Sequence, residues 1–161
     1  MGYSFYLKKE NFKFSSAHFT IFNKTDSEAL HGHNYRVGIH LKSSRAQLEN
    51  EMICDFNFIK KCIKSVCDEL DEKVLIPQQS PHLKISNHVS FKDHIHVVFH
   101  QKNYVFPISD IYLMSCENIT SEALAYFIAQ KIAPEMKTYF YELKVSVEET
   151  RGQTASYTMS L

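Results

Sequence analysis

Between Leu30 and Lys42 the chain alternates so regularly that one local structure accounts for it. Tyr35, Val37, Ile39 and Leu41 are apolar, whereas Asn34, Arg36, His40 and Lys42 are polar. This is the pattern of a half-buried β-strand. Side chains two apart on a strand share a face, so His31 and His33 stand at the head of a face that further along is core. His18 holds a matching place upstream: Phe12, Phe14, Ser16 and His18 share one parity, while Asn11, Lys13 and Ser15 take the other. Two neighbouring strands of this kind bring three imidazoles to one end of a common inward surface. Three histidines with an open fourth position are the donor set of a catalytic zinc site rather than a closed structural one.

The rest of the composition narrows the function classes. A chain of 161 residues with 44% hydrophobic and 22% charged residues reads as one domain, residues 1–161, with room for a real core. The formal net charge is zero and no long basic run occurs, which argues against nucleic acid or an anionic membrane as principal partner. No apolar run approaches a membrane span, and the segment around Lys8, Lys9 and Glu10 lacks a secretory h-region. Cys54, Cys62, Cys67 and Cys116 show no C-x-x-C spacing, so a reducing cytoplasm is the expected location.

The chain divides into few elements. Strands are expected over about Tyr6 to His18 and Gly32 to Lys42, separated by a polar loop from Thr20 to Leu30. Asp55 reads as a helix cap, and Phe56, Ile59, Ile63, Val66 and Leu70 recur at three- and four-residue steps up to Asp71, the signature of an amphipathic helix. Cys62 and Cys67 lie within it as packing thiols. A second helix starts at Thr120 or Ser121, with Leu124, Phe127, Ile128 and Ile132 on one stripe and Pro134 near its end. Between the helices, residues 77–116 form an inserted segment with a hairpin, Ile95 to Phe99 against Tyr104 to Phe106, turning at Gln101-Lys102-Asn103. His82, His88, His94, His96 and His100 scatter through it without ligand spacing. Two last strands, Glu142 to Glu149 and Thr154 to Met159, meet at Arg151-Gly152-Gln153. The order predicts an α+β domain, an antiparallel sheet backed by two helices.

Glu149 stands out from this pattern. Leu143, Val145, Val147 and Glu149 share a face, so a carboxylate ends an otherwise apolar row. Either the strand has frayed by Glu149, or the carboxylate accepts two N–H bonds from a planar heterocycle with an amino-pyrimidinone edge.

Nearly the whole chain resembles one family. Phe14-Ser15-Ser16-Ala17-His18 and Leu30-His31-Gly32-His33-Asn34-Tyr35-Arg36-Val37 look like the zinc signature of 6-pyruvoyltetrahydropterin synthases and their 6-carboxytetrahydropterin synthase relatives. Cys54-Asp55-Phe56, Leu70-Asp71, Glu117-Asn118-Ile119-Thr120-Ser121-Glu122 and Val147-Glu148-Glu149-Thr150 follow in the family's order. The resemblance implies the T-fold: a four-stranded antiparallel sheet with two antiparallel helices on one face. Three subunits then close a barrel, and two trimers stack as a homohexamer with active sites at subunit interfaces. It further implies Zn2+ held by His18, His31 and His33, and a pterin ring clamped by Glu149 with help from Thr120 and Ser121. The implied substrate is 7,8-dihydroneopterin triphosphate, for which Lys73 and Arg151 are candidate phosphate contacts.

The departures carry chemistry too. The family's usual catalytic Cys falls four to six residues before the first His of the HGH motif, where this chain has Thr25, Asp26 and Ser27. Its usual Leu-Asp-His reads Leu70-Asp71-Glu72 here, so Asp71 stays a candidate catalytic residue without its His. Glu28, three residues before His31, resembles a branch in which a carboxylate replaces the Cys and the product is 6-hydroxymethyl-7,8-dihydropterin. A Glu28 carboxylate would shuttle protons if burial raised its pKa. The expected function is a zinc-dependent pterin-forming lyase. The alternatives are 6-pyruvoyl- or 6-carboxytetrahydropterin synthase activity, or a catalytically impaired homologue that keeps zinc and pterin binding.

Overall fold

The computed structural model describes residues 2–44 and 51–161. In chain order the elements are β1 (Gly2–Leu7), β2 (Lys13–His18), β3 (His31–Ser44), α1 (Phe56–Leu70), β4 (Lys73–Pro77), β5 (Leu83–Asn87), β6 (His94–Phe99), β7 (Lys102–Pro107), β8 (Ile111–Met114), α2 (Ser121–Met136), β9 (Glu142–Thr150) and β10 (Gln153–Ser160). They gather into two compact units, and β2 and β3 each begin in one and end in the other.

The first unit comprises Met1–Phe14, Asn34–Asp71 and Ser121–Leu161. Here the alternation of β3 does what it predicts: Tyr35, Val37, Ile39 and Leu41 are buried. Strand β9 pairs antiparallel with β3 and with β10, and β1 pairs antiparallel with β3 on its other side. The β9–β10 turn holds Gly152 at φ +88°, a left-handed conformation that a side chain resists. Asp55 caps α1 by accepting the Asn57 N–H at 2.8 Å, and Ile59, Ile63, Val66, Cys67 and Leu70 form its buried stripe. Burial pushes the Cys67 thiol up to about 12, which leaves it protonated and inert, a packing group as expected. Helix α2 buries Leu124, Ala125, Ile128, Ala129, Ile132, Ala133 and Met136, with Pro134 in its last turn.

One expected strand is two. The run from Tyr6 to His18 is interrupted after β1, where Phe12 N–H donates to Lys9 O at 3.0 Å in a turn. Lys8-Lys9-Glu10-Asn11 is a polar run with no inward residue to hold a strand against a core.

The second unit comprises Ser15–His33 and Glu72–Thr120. Strand β4 pairs parallel with β2, and β8 parallel with β4. Neither was expected. Leu75 and Ile76, consecutive and therefore on opposite faces, are both fully buried, so β4 shows the continuous apolar run of a covered parallel strand rather than alternation. The inserted hairpin is also larger than expected: β5 pairs antiparallel with β6, and β6 with β7, in a three-stranded sheet. Its turn is tighter than expected, at His100 and Gln101, with His100 at φ 49° and Phe99 opposite Lys102. Phe19, Ile21, Ile76, Ile95, Val97, Phe99 and Ile111 form the core of this unit. Among the described residues no helix is long and apolar enough to cross a membrane, and the four cysteines are free thiols.

Candidate functional site

The three histidines fall where the strand periodicities put them. His18 ends β2 and His31 begins β3; the ring centroids are 4.8 Å apart for His18–His31, 5.2 Å for His18–His33 and 4.7 Å for His31–His33. One nitrogen from each ring lies within 4.8 Å of the others, a spacing that a tetrahedral ion with bonds of about 2.0–2.1 Å spans with small adjustment.

Their outer partners set the tautomers. His18 Nδ1 meets Ile119 O at 3.3 Å, and His31 Nδ1 meets Ala29 O at 2.8 Å. A carbonyl only accepts, so each Nδ1 carries the proton and each Nε2 turns a lone pair to the cluster. His31 Nε2 lies 2.8 Å from His33 Nε2. A proton shared between them accounts for that distance, and a cation bound by the three imidazole nitrogens would take the proton's place, so the donor set fits a divalent metal.

Glu28 reaches the same cluster from the loop. Its Oε2 lies 4.0 Å from His31 Nε2 and accepts the Thr20 N–H at 3.0 Å. The loop closes on itself, with Glu28 N–H donating to Thr20 O at 3.0 Å and Asn23 Oδ1 accepting from Thr25 and Asp26. Asn118 grips its root, accepting from Ile21 N–H and donating to Ile21 O, both at 3.0 Å. Burial does push the Glu28 carboxyl up, but the Thr20 hydrogen bond and the His31 and His18 rings pull harder, and the net direction is down. The condition set for a proton shuttle, a pKa raised by burial, is therefore not met. Glu28 is half-buried and accepts a backbone donor that favours its charged form, so it is suited to accept a proton.

In the first unit Glu149 is no frayed end, since β9 runs on to Thr150. Its Oε1 accepts from Tyr35 Oη at 3.3 Å and its Oε2 from Ser121 Oγ at 3.2 Å. These two hydroxyl donors orient the carboxylate at the end of β9. Tyr35 was legible as a core residue and as part of the stretch that resembles the zinc signature, not as a partner of Glu149. Its hydroxyl needs a partner at the edge of that core, the one signal that pointed to this role. Asn118 and Ile119 lie in a segment that carries the family resemblance, but nothing in the sequence assigned them these contacts, nor Thr20 its own.

The other expected residues have contacts of their own. Asp71 is the C-cap of α1, its N–H donating to Cys67 O at 3.0 Å. Glu72 follows at φ 58° with its N–H on Ser15 O at 2.8 Å. Thr120 lies in the second unit beside Ile119, while Ser121 and Glu149 lie in the first. Lys73 Nζ donates to Ser109 O at 2.6 Å, and Arg151 is exposed at the β9–β10 turn.

The family model for 6-pyruvoyl tetrahydropterin synthase matches residues 6–160. The chain belongs to that family. A protein of Methanocaldococcus jannaschii provisionally named a 6-carboxy-5,6,7,8-tetrahydropterin synthase is 33% identical over 150 residues, covering 90% of this chain and 88% of its own. Among solved structures, 6-pyruvoyl tetrahydropterin synthase from Plasmodium falciparum superposes with a TM-score of 0.89 at 24% identity, covering 99% of each chain. The Plasmodium vivax protein gives 0.89 at 25%, covering 100% of this chain and 99% of its own. Two variants of the latter, a glutamate replaced by alanine or cysteine, are described as catalytic-residue mutants. The fold is therefore the T-fold of the pterin synthases, and the family is one of pterin-forming enzymes.

Proposed function

We propose that this protein is a zinc-dependent lyase acting on 7,8-dihydroneopterin triphosphate, cleaving its side chain to 6-hydroxymethyl-7,8-dihydropterin. The observation that carries the reading is the Glu28 carboxylate, 4.0 Å from His31 Nε2, in a loop where Thr25, Asp26 and Ser27 stand in place of a thiol. His18, His31 and His33 would hold the metal. Bound zinc supplies Lewis acidity, lowering the pKa of side-chain hydroxyls that reach the open position.

The chain's own groups supply the rest. Glu149, oriented by Tyr35 and Ser121, accepts N–H bonds from the amino-pyrimidinone edge of the ring. Glu28 accepts the proton of the C2′ hydroxyl. The C1′–C2′ bond then breaks, C2′ becomes an aldehyde carbon, and the electron pair passes to C1′ and the conjugated dihydropterin. A proton returned to C1′ completes the hydroxymethyl product, and the two-carbon aldehyde leaves with the triphosphate. Nothing is oxidised or reduced overall. The 6-pyruvoyl route requires triphosphate elimination and proton shuttling between side-chain carbons, work for which the family's Cys and Asp-His pair are suited and which this chain lacks. The Plasmodium vivax protein provides a precedent for a catalytic glutamate in this fold.

The second reading, 6-carboxytetrahydropterin synthase, is favoured by the name of the Methanocaldococcus jannaschii relative. Incubation with 7,8-dihydroneopterin triphosphate and product identification by mass spectrometry separates the two. The 6-hydroxymethyl product supports the first, the 6-carboxy product the second, and binding without turnover identifies an impaired homologue.

Two further outcomes are expected. Glu149→Ala weakens pterin binding about tenfold or more, the scale of losing charge-assisted hydrogen bonds, with zinc content unchanged; fluorescence titration with a dihydropterin measures it. Assembly is the other. Among the described residues β10 is paired only with β9, and β1 only with β3, which leaves open strand edges that barrel closure by further copies would cover. Light scattering should give about 113 kDa, six chains of 18.8 kDa. A monomer at micromolar concentration would contradict the hexameric barrel.

A further inference from the structure

The residue that ties the inserted hairpin to the Glu28 loop has no place in the chemistry above. Lys102, the first residue of β7, sends its ammonium to three oxygens at once: Ser27 O at 3.1 Å, Ser27 Oγ at 2.8 Å and Glu28 O at 2.8 Å. An ammonium has three protons and no acceptor, so these contacts use its full capacity. None of them is to the Glu28 carboxylate. The cation grips the backbone on either side of the Ser27–Glu28 peptide and leaves the carboxylate to Thr20 and the imidazole cluster.

The grip starts from a rigid base. Lys102 pairs with Phe99 beside the tight His100-Gln101 turn, and its ammonium lies 6.0 Å from the Phe99 ring centroid, within cation–π reach. Phe99 is buried in the core of this unit, its ring centroid 6.4 Å from that of Phe19, and Tyr104, on β7 with Lys102, stacks on Phe19 at 5.4 Å. Phe19 adjoins His18 in the sequence, and Leu30, which adjoins His31, packs against the same core. One apolar cluster therefore supports both the lysine and the residues flanking the histidines.

We propose that Lys102 is a positioning residue that holds the Glu28 backbone, so that the inserted hairpin fixes the reach of the carboxylate. The inference rests on the reading of Glu28 as the base. A displacement of even an ångström at a reacting group lowers rates steeply. The loop's other ties hold the N–H side of the Ser27–Glu28 peptide, through Glu28 N–H on Thr20 O and the bridge between Ile21 and Ser27, and the lysine holds its carbonyl side.

The test is a double-mutant cycle with an exchange readout. Lys102→Met should lower kcat on 7,8-dihydroneopterin triphosphate about tenfold or more, with KM, zinc content and melting temperature close to wild type. In a Glu28→Gln background the same change should alter kcat less than about twofold, since residues acting as a unit are not additive. Amide exchange in a peptide spanning residues 20–30 should accelerate in Lys102→Met and not in Glu28→Gln. Lys102→Arg, which keeps the charge but spreads its donors over a planar fork, should recover part of both signals. Equal kcat losses in the two backgrounds, or unchanged exchange over residues 20–30, would overturn the proposal. Equal turnover by wild type and Glu28→Gln would instead remove Glu28 from the reaction, and the catalytic role of Lys102 with it, whatever the exchange data show.

Discussion

Glu28→Gln is expected to lower kcat on 7,8-dihydroneopterin triphosphate by about a hundredfold or more, the usual scale for removing a general base. The change keeps the size of the side chain and an oxygen that can still accept the Thr20 N–H, so the loop has no reason to move. What it removes is the negative charge 4.0 Å from His31 Nε2 and the capacity to take up a proton. Zinc content should stay at the wild-type value, because none of the three imidazoles is altered. Binding of a dihydropterin should also persist, since the ring edge is assigned to Glu149. Rate and metal lost together would point to a ligand rather than a base. A rate equal to wild type would make Glu28 a loop charge.

His31→Ala should have the larger effect. Purified wild-type protein is expected to carry about one zinc per chain on its three-histidine set. Removing one of three nitrogen donors leaves two, and activity with added zinc should fall below detection while the fold survives. The fold survives because His31 is only half-buried at the start of β3, and the strand is anchored by Tyr35, Val37, Ile39 and Leu41 in the core. Elemental analysis of wild type and variant, each with a melting curve, decides it. Full metal occupancy in His31→Ala would take His31 out of the site.

The sequence carried the parts of this arrangement that depend on period and hid those that depend on partners. Strand parity alone placed His18, His31 and His33 at one end of a common face, because a period of two leaves a residue no choice of side once its neighbours are buried. Helix α1 was legible to its caps, Asp55 and Asp71. Strand β4 was not, because consecutive buried residues such as Leu75 and Ile76 give no alternation to read. Its parallel pairing with β2 joins segments more than fifty residues apart in the chain. The break between β1 and β2 lies in the polar run Lys8-Lys9-Glu10-Asn11, where parity has no apolar residue to mark it.

At the site the same division holds. Strand pattern pointed to Glu149 and the family resemblance to Glu28 and to Ser121 beside Glu149, but neither pointed to Tyr35 or to what holds Glu28. The donors to Glu149, Tyr35 and Ser121, come from β3 and α2, and no local pattern links them. The shift of Glu28 went against the expectation drawn from burial alone, because hydrogen bonding to the charged form and nearby imidazoles act in the opposite direction. Lys102 looked like a turn residue, and only its three oxygen contacts show what it grips.

The most direct test of the account follows the proton that ends at C1′. Wild-type protein, loaded with zinc, is incubated with 7,8-dihydroneopterin triphosphate in D2O, and the pterin product is analysed by mass spectrometry and NMR. Cleavage of the C1′–C2′ bond with Glu28 as base predicts 6-hydroxymethyl-7,8-dihydropterin with one deuterium on its exocyclic carbon, released with a two-carbon aldehyde that retains the triphosphate. A product that keeps the three-carbon side chain, a 6-carboxy product, or no turnover by a zinc-loaded, pterin-binding protein would contradict it.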